Sequence, residues 1–281
     1  MSIQPKDEKV IVGFLGPLGT FSHKAATSIY KRQIEFAEKE TVGDVLEALN
    51  SGECNYAVVP VENTIGGLAG DFEKYLNMIL DCGDVSIVYE VNLPIRQTLM
   101  GLTGTELKDI KKVYSHPQGL AQGKEWMKEN LPGVETVEVD STAEGARIVS
   151  ETQDPSWAAI AAPSAAEVFN LQVLAENIQI ITTNVTRFYV LTKGGSIERT
   201  GDHALISVKC GADKIPALMG NIDKNGCRLV SIHERSAKTI LGEYQYISEL
   251  DKTNEKAING LIDSSNDWEI RLLGIYGTIN L

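Results

Sequence analysis

Short apolar runs alternate with helix-forming segments between residue 10 and about residue 195, and this alternation constrains the fold more than any other feature. The runs at 10–16 (VIVGFLG) and 56–63 (YAVVPVEN) have the length and composition of buried strands. The segment at 118–131 has a helical pattern and is followed by Pro132. Strands and helices that alternate in this way predict an α/β fold with parallel sheets covered by helices.

The alternation falls into two series that are joined by extended chain. The segment at 85–101 (VSIVYEVNLPIRQTLMG) alternates apolar with polar residues and is broken by Pro94. A second series follows it and ends in a strand pattern, VTRFYVLTK, at 185–193. Two series joined in this way predict two lobes with a cleft between them.

The tail of the chain has a different pattern. Residues 193–203 carry the glycines and charges of a linker. After them the predicted order is strand, helix, strand, strand, helix, strand, which is typical of a ferredoxin-like module. We therefore predict two domains, a two-lobed domain over 8–195 and a ferredoxin-like domain over 202–281.

Charge and composition exclude several classes of function. The net charge is −12 and no cluster of Lys or Arg stands out, which argues against binding to nucleic acid or to acidic membranes. No apolar run has the length of a membrane span, and the polar N-terminus lacks the apolar core of a secretory signal. We expect a cytoplasmic protein with reduced cysteines. The cysteines and histidines show no metal-ligand spacing, so we expect no metal and no other cofactor.

Two segments of the first series place polar residues where a predicted strand ends. The segment at 16–22 (GPLGTFS) lies between a strand and a helix, where glycines and free N–H groups suit an anion. A Gly-rich turn needed only for packing has the same pattern. In the segment at 59–67, Glu62 and Asn63 follow a buried strand directly, at the edge where α/β sheets bind ligands. A helix cap is the alternative there.

Two further segments belong to the second series. In 115–122 (SHPQGLAQ), Gln118 and Gln122 lie on one helical face. In 184–188 (NVTRF), Arg187 has the geometry to bind a carboxylate with two hydrogen bonds, or to pair with an acidic neighbour. From the residues alone, the chain is either an enzyme that acts on a small anion or a small-molecule binding protein.

Six motifs together resemble one family, the prephenate dehydratases. They occur in that family's order between residues 13 and about 191: GPLGTFS, PVENTIGG, SHPQGLAQ, DSTAEGA, AAIAAPSAA and NVTRF. The tail resembles the ACT domain that follows the catalytic domain in these enzymes and binds phenylalanine. The resemblance implies a fold like the periplasmic binding proteins, with the active site in the cleft between the lobes.

The activity implied by the resemblance is the decarboxylating dehydration of prephenate to phenylpyruvate, in phenylalanine biosynthesis. The implied partners are prephenate, an aromatic amino acid effector (phenylalanine above all) and further copies of the chain in a homodimer or homotetramer. Arogenate dehydratase and a non-enzymatic binding protein of the same fold remain alternatives. All six motifs precede residue 195, so we expect residues 1 to about 195 to be active without the tail.

The resemblance also implies roles for individual residues. Thr186 is implied as the catalytic residue. Substrate contacts are implied for Asn63, Ser115, Gln122, Glu62, Thr20 and Arg187. Effector contacts are implied for Ala217, Leu218, Asn225, Gly226, His233 and Glu234.

The chain departs from the family pattern at a few positions. Thr64 stands where the family usually has serine, which keeps a hydroxyl, and Ile180 stands where an acidic residue is usual. In the tail, Pro216 replaces a glycine, and 233–236 (HERS) replaces the usual ESRP. Both changes in the tail fall in segments expected to form the phenylalanine site, so we expect binding with altered affinity or selectivity.

Overall fold

Two β-sheets flanked by helices make up the computed structural model, which describes residues 10–30, 34–68, 72–194, 201–237, 243–264 and 268–281. The first lobe contains the strands β1 (Ile11–Leu15), β2 (Glu35–Lys39), β3 (Tyr56–Asn63), β4 (Gly67–Leu68) and β5 (Val85–Pro94). Its helices are α1 (Phe21–Ser28), α2 (Val42–Ser51) and α3 (Phe72–Asp81). Strand β1 lies between β2 and β3 and runs parallel to both.

The second lobe is built on a five-stranded sheet of order β10-β6-β9-β7-β8. Its strands are β6 (Thr98–Gly101), β7 (Lys112–Ser115), β8 (Glu135–Glu138), β9 (Trp157–Ala161) and β10 (Gln172–Ala175). Its helices are α4 (Pro117–Asn130), α5 (Thr142–Thr152) and α6 (Pro163–Val168). Strands β8, β7 and β9 are parallel, and β6 is antiparallel to its two neighbours.

The chain crosses between the lobes twice. It leaves the first lobe after β5 and returns through β11 (Val185–Lys193), which lies between β5 and β3. The crossings are tied together where Ile95 N donates to Asn184 O at 2.8 Å. The two-lobed prediction is confirmed. The expectation of parallel sheets holds for β1–β3 and for β7–β9 but is wrong for β6, β10 and β11. Strand β11 is antiparallel to β5 because it returns from the second lobe against the strand that left.

The tail folds in the predicted order. Its elements are β12 (His203–Gly211), α7 (Ile215–Lys224), β13 (Arg228–Ser236), β14 (Glu243–Asp251), α8 (Glu255–Asp263) and β15 (Glu269–Asn280). The strands are arranged β13-β14-β12-β15, as in a ferredoxin-like module. Within the predicted linker, residues 195–200 lie outside the described part of the chain.

This C-terminal module and the first lobe share one sheet. Strand β15 runs parallel to β5, with Gly277 opposite Tyr89 and Asn280 opposite Asn92. They also share a core, in which Leu273 and Tyr276 of the module belong to the same buried cluster as Ala57, Tyr189 and other first-lobe residues. None of the described helices combines the length and apolar character needed to cross a membrane.

Candidate active site

A cavity of about 320 Å³ lies between the two lobes. The first lobe contributes Phe21, Asn63, Gly66, Gly67 and Leu68; the second contributes His116, Gln118, Gly119, Gln122 and Thr142; the crossings contribute Ile95, Gln97, Asn184 and Thr186. Segments from both series of strands therefore meet at this cavity. Among the described residues that line this cavity there is no aspartate or glutamate, although the chain is acidic overall.

Thr186 lies at the start of β11, directly opposite Asn63 of β3. The side-chain Nδ2 of Asn63 donates to Thr186 Oγ1 at 2.9 Å and to Asn184 Oδ1 at 2.8 Å. The Thr186 oxygen is thus an acceptor in this bond. No protein acceptor for the hydroxyl hydrogen occurs among the described residues, so this hydrogen is available to a molecule in the cavity.

The orientation of the Asn63 amide is fixed by the backbone. Its Oδ1 accepts from the N–H groups of Ile65 and Gly66, both at 3.0 Å. The oxygen is therefore held in the turn and the nitrogen must face Thr186. The neighbouring Thr64 secures the same arrangement, because its Oγ1 accepts from Val185 N at 3.0 Å. The hydroxyl that the sequence keeps at position 64 thus has a structural partner.

Two glutamines bring buried amide groups to the cavity. Gln122 of α4 is 9% exposed and Gln97 of the first crossing is 4% exposed. Both Oε1 atoms are buried, and no hydrogen-bond partner for either lies among the described residues. A buried carbonyl oxygen without a partner costs on the order of 1–3 kcal/mol, so both oxygens favour a ligand with a donor group.

Sequence reasoning found Gln118 and Gln122 in this site but missed Gln97 and Asn184. Gln97 belongs to no motif and gave no signal beyond its place after a predicted extended segment. Asn184 stands two residues before Thr186 in the NVTRF motif, and that proximity was a usable signal. Its side-chain oxygen accepts from Asn63, as described above.

Two predicted substrate contacts, Ser115 and Thr20, make structural hydrogen bonds. Ser115 is fully buried, and its Oγ donates to Ile160 O at 2.6 Å. A Cβ on Gly119 would lie 2.4 Å from that Oγ, so the glycine makes room for the serine. Thr20 caps α1, because its Oγ1 accepts from His23 N at 3.2 Å. Neither Ser115 nor Thr20 lines the cavity.

Glu62 and Arg187 also lie away from the cavity lining. Arg187 makes ion pairs with Glu62 at 3.0 Å, Glu90 at 3.3 Å and Glu249 at 2.5 Å. Burial raises the pKa of the Glu90 carboxyl, and the Arg187 charge opposes that rise. Of the two possibilities in the sequence, pairing with acidic neighbours is therefore the one that the structure favours for Arg187. The side chains of successive strand residues point to opposite faces of the sheet. This explains why Thr186 faces the cavity while Arg187 points away from it.

The first anion-binding candidate, at 16–22, contributes only Phe21 to the cavity lining. Gly19 has a φ of +85°, and a Cβ there would lie 3.3 Å from Ala165 Cα of α6. The segment therefore packs across the cleft onto the second lobe. The side chain of Ile180 is exposed. Its backbone N–H donates to the carbonyl oxygen of Gln122 at 2.9 Å, which links the 180 segment to α4 of the site.

The predicted effector residues lie on α7 and β13, which contact each other. Ala217 and Leu218 lie on α7, Asn225 and Gly226 follow it, and His233 and Glu234 lie on β13. Leu218 is fully buried in the core of the C-terminal module, so its side chain is closed to a surface ligand. Pro216 occupies the first turn of α7, where an N–H has no acceptor within the helix, and the substitution is well accommodated.

No group of three His, Cys, Asp or Glu residues that could hold a metal ion occurs within the described ranges. The four cysteines are free.

The family model and the relatives found by sequence agree on one family. The family model for prephenate dehydratase matches residues 12–196. A bifunctional chorismate mutase/prephenate dehydratase from Aquifex aeolicus is 32% identical, over 96% of this chain and 74% of that protein. A prephenate dehydratase from Lactococcus lactis subsp. cremoris is 31% identical, over 96% of this chain and 98% of its own. The crystal structure of a prephenate dehydratase from Arthrobacter aurescens in complex with L-Phe is 30% identical, with a TM-score of 0.76 over 95% of this chain and 90% of that one.

Proposed function

This chain belongs to the prephenate dehydratase family and is a lyase of that kind; we propose that the cleft around Thr186 is where it converts prephenate to phenylpyruvate. The observation that carries this proposal is the hydrogen bond from Asn63 Nδ2 to Thr186 Oγ1. It leaves the threonine hydrogen free to be donated into the cavity.

The reaction needs a proton at the oxygen of the departing C4 hydroxyl and no base. Prephenate carries a ring carboxylate, a pyruvyl group and a C4 hydroxyl. When the bond to the ring carboxylate breaks, its electron pair enters the ring and carbon dioxide leaves. The C4–O bond breaks at the other end, the ring becomes aromatic, and the departing hydroxide takes up a proton to become water.

In this scheme Thr186 assists the departing hydroxyl. An alcohol is a poor acid, so Thr186 donates a hydrogen bond or relays a proton rather than ionising fully. Because Asn63 is itself held by the backbone, the donor is already oriented before the substrate binds. Such preorganised donors supply a large share of the rate enhancement in many enzymes.

The remaining lining offers groups for the hydroxyl and for one carboxylate of prephenate. The Oε1 atoms of Gln97 and Gln122 are acceptors that the C4 hydroxyl of prephenate matches. The α4 helix starts at the cavity, where His116, Gln118 and Gly119 are lining residues, and its positive end favours a carboxylate.

The lack of an acidic residue in the described lining favours prephenate over arogenate, which carries an ammonium group in place of the keto group, whereas the two glutamine oxygens suit both substrates. An ammonium in the cleft calls for a carboxylate partner, and none occurs among the described lining residues. The test is to incubate the purified protein with prephenate and, separately, with arogenate and to identify the products. We expect phenylpyruvate from prephenate and at least tenfold slower conversion of arogenate. Binding of prephenate without turnover would instead assign a binding protein.

For the tail we propose regulation by phenylalanine, with residues 8–195 catalytic and 202–281 regulatory. The strand and helix order supports an ACT-like module, and the Arthrobacter relative was crystallised with L-Phe. The ligand would contact α7 and β13, with Ala217, Asn225, His233 and Glu234 as candidates. We further propose a homodimer or homotetramer and a cytoplasmic location, with which the free cysteines are compatible.

A further inference from the structure

One carboxylate of the C-terminal module contacts β11, the strand that carries Thr186. Glu249 of β14 is 2% exposed, and its Oε1 accepts from Arg187 Nη1 at 2.5 Å. Arg187 follows Thr186 directly in β11. In the large sheet β14 is separated from β11 by β12, β15 and β5. Strand β15 pairs with β12 through residues 269–276 and with β5 only through residues 277–280, so the module adjoins the first lobe through the end of this strand.

Arg187 lies beside an irregularity in the pairing of β11 with β3. Thr186 pairs with Asn63 and Arg187 with Glu62, but Phe188 pairs with Pro60, so the register shifts between Arg187 and Phe188. Such bulges re-aim side chains and are frequent beside active sites. The extra residue is Val61 of β3, and on its other side β11 pairs with β5 without a break from Val185 to Val190. Across the irregular contact between β3 and β11, the position of Thr186 relative to Asn63 also depends on what holds the neighbouring Arg187.

Glu249 is well placed to provide that hold. The other two partners of Arg187, Glu62 and Glu90, come from β3 and β5, the strands on either side of β11. Glu249 makes the shortest of the three ion pairs, and its second oxygen accepts from Ser231 Oγ at 3.3 Å. The carboxylate is therefore fixed from within the module. A buried ion pair that is held on both sides is costly to break.

We propose that Glu249 is a positioning residue for Thr186: by holding Arg187 at the bulge, the C-terminal module sets the position of the catalytic hydroxyl opposite Asn63. This inference rests on the proposed role of Thr186. It makes the module a part of the catalytic apparatus even without a bound effector. A small displacement of a reacting group lowers the rate of the chemical step more than it lowers substrate binding.

The test is Glu249→Gln in the full chain, which keeps the shape of the side chain and removes its charge. We expect kcat to fall about tenfold with KM within about twofold. The matched control is Asp251→Asn, because Asp251 lies two residues along β14 and pairs with Arg228 of the same module, with Arg228 Nε at 2.7 Å. The control should keep wild-type kcat. A decrease in melting temperature that both variants share measures the structural cost of removing a carboxylate from β14.

A double variant separates positioning from general destabilisation. If Glu249 acts through Thr186, then Glu249→Gln should lower the residual kcat of Thr186→Ala by less than about twofold, because coupled residues are not additive. A full further tenfold loss would overturn the proposal, as would a folded Glu249→Gln enzyme with wild-type kcat.

Three further outcomes have distinct meanings. If Glu249→Gln does not fold, Glu249→Asp keeps the charge but shortens the reach, and we expect a loss of a few-fold in kcat; wild-type kcat in that variant overturns the proposal. If Thr186→Ala itself is fully active, the proposed function fails. If Thr186→Ala is inactive while Glu249→Gln has wild-type kcat, only the present inference fails.

Discussion

At the scale of single residues, the chemistry depends on which atom of one amide faces one hydroxyl. The Oδ1 of Asn63 is bound by the N–H groups of Ile65 and Gly66, so Nδ2 is the atom that meets Thr186. A carboxylate at position 63 would accept from Thr186 instead and draw its hydrogen away from the cavity. The direction of this hydrogen bond is what makes Thr186 a donor toward the substrate.

Removal of the Thr186 hydroxyl is the most direct test of that donor. We predict that Thr186→Ala lowers kcat at least about a hundredfold, in the range of a positioned proton donor. Thr186→Ser should retain more activity, since it keeps the hydroxyl that Asn63 binds. Steady-state kinetics of both variants, with circular dichroism as the folding control, measure this. A folded alanine variant within threefold of wild type would remove Thr186 from the mechanism.

Residue identities in the site were only partly predictable from the sequence. The resemblance led to Thr186, Asn63 and Gln122, and the structure brings these three into one cavity. Ser115 belongs to a matching motif, yet it packs beneath Gly119 rather than in the cavity. A motif shows that a residue is required at a position, and only the packing shows whether it is required for the substrate or for the fold. Gln97 lies outside every motif, and only its burial and its place in the cavity lining reveal it.

At the scale of elements, the helical pattern at 118–131 was placed well, because it forms α4 (Pro117–Asn130). Helix α2 begins with a capping box of Thr41 and Asp44 and ends at Gly52, whose φ is +81°. Strand direction was less predictable. Nothing in the composition of 185–193 distinguishes a parallel from an antiparallel strand, because direction is decided by the lobe from which the chain arrives.

His23 of α1, together with the turn before that helix, gives a prediction about the pH dependence of stability. His23 is buried beside Phe14 and Phe36, at 5.3 and 4.8 Å between ring centres, and its Nδ1 accepts from Gly19 N at 3.2 Å. Burial lowers the pKa of His23, against the opposing charges of Glu38 and Glu167. The unfolded chain therefore takes up this proton at higher pH than the folded chain does.

It follows that the free energy of unfolding should fall as the pH drops below about 6.5, the ordinary pKa of histidine. The stabilisation is fully present above that pH and is lost as the pH falls toward the lower pKa of the folded state. We predict that His23→Gln gives a flatter dependence between about pH 7 and pH 5. Urea unfolding at several pH values measures it, and unfolding at about pH 8 gives the cost of the substitution itself. Equal slopes for both proteins would contradict the assignment.

At the scale of the whole molecule, the two predicted domains are joined more closely than the sequence suggested. Strand β15 extends the first-lobe sheet through β5. Arg271 at its start donates to the carbonyls of Leu80, Cys82 and Gly83 near the end of α3, where a cation is favoured. Each unit has a complete pattern of its own, so pairing between residues nearly two hundred positions apart left no local trace in the sequence.

This union leads us to revise one expectation, that residues 1 to about 195 are active alone. A chain ending at residue 194 would lose the pairing of β15 with β5 and the packing of Tyr276 against Tyr189, whose rings are 5.8 Å apart. It would also lose Leu273 from the shared core. Each such buried side chain contributes roughly 1.5–3 kcal/mol. We predict that the truncated chain is destabilised by several kcal/mol and has less than about a tenth of the wild-type kcat.

The matched control keeps both the two-lobed part and the C-terminal module and breaks only the chain between them. A protease site placed within 195–200 of the full chain allows the linker to be cut after folding, which leaves the module docked through β15 and the Glu249–Arg187 pair. We expect the cut protein to retain the melting temperature and kcat of the intact protein to within about twofold, while the truncated chain does not. Size-exclusion chromatography shows whether the pieces stay together, and thermal unfolding and kinetics compare the three forms. A soluble truncated chain with wild-type stability and turnover would show that the shared sheet is dispensable, because the first 194 residues would then complete both their core and their active site alone.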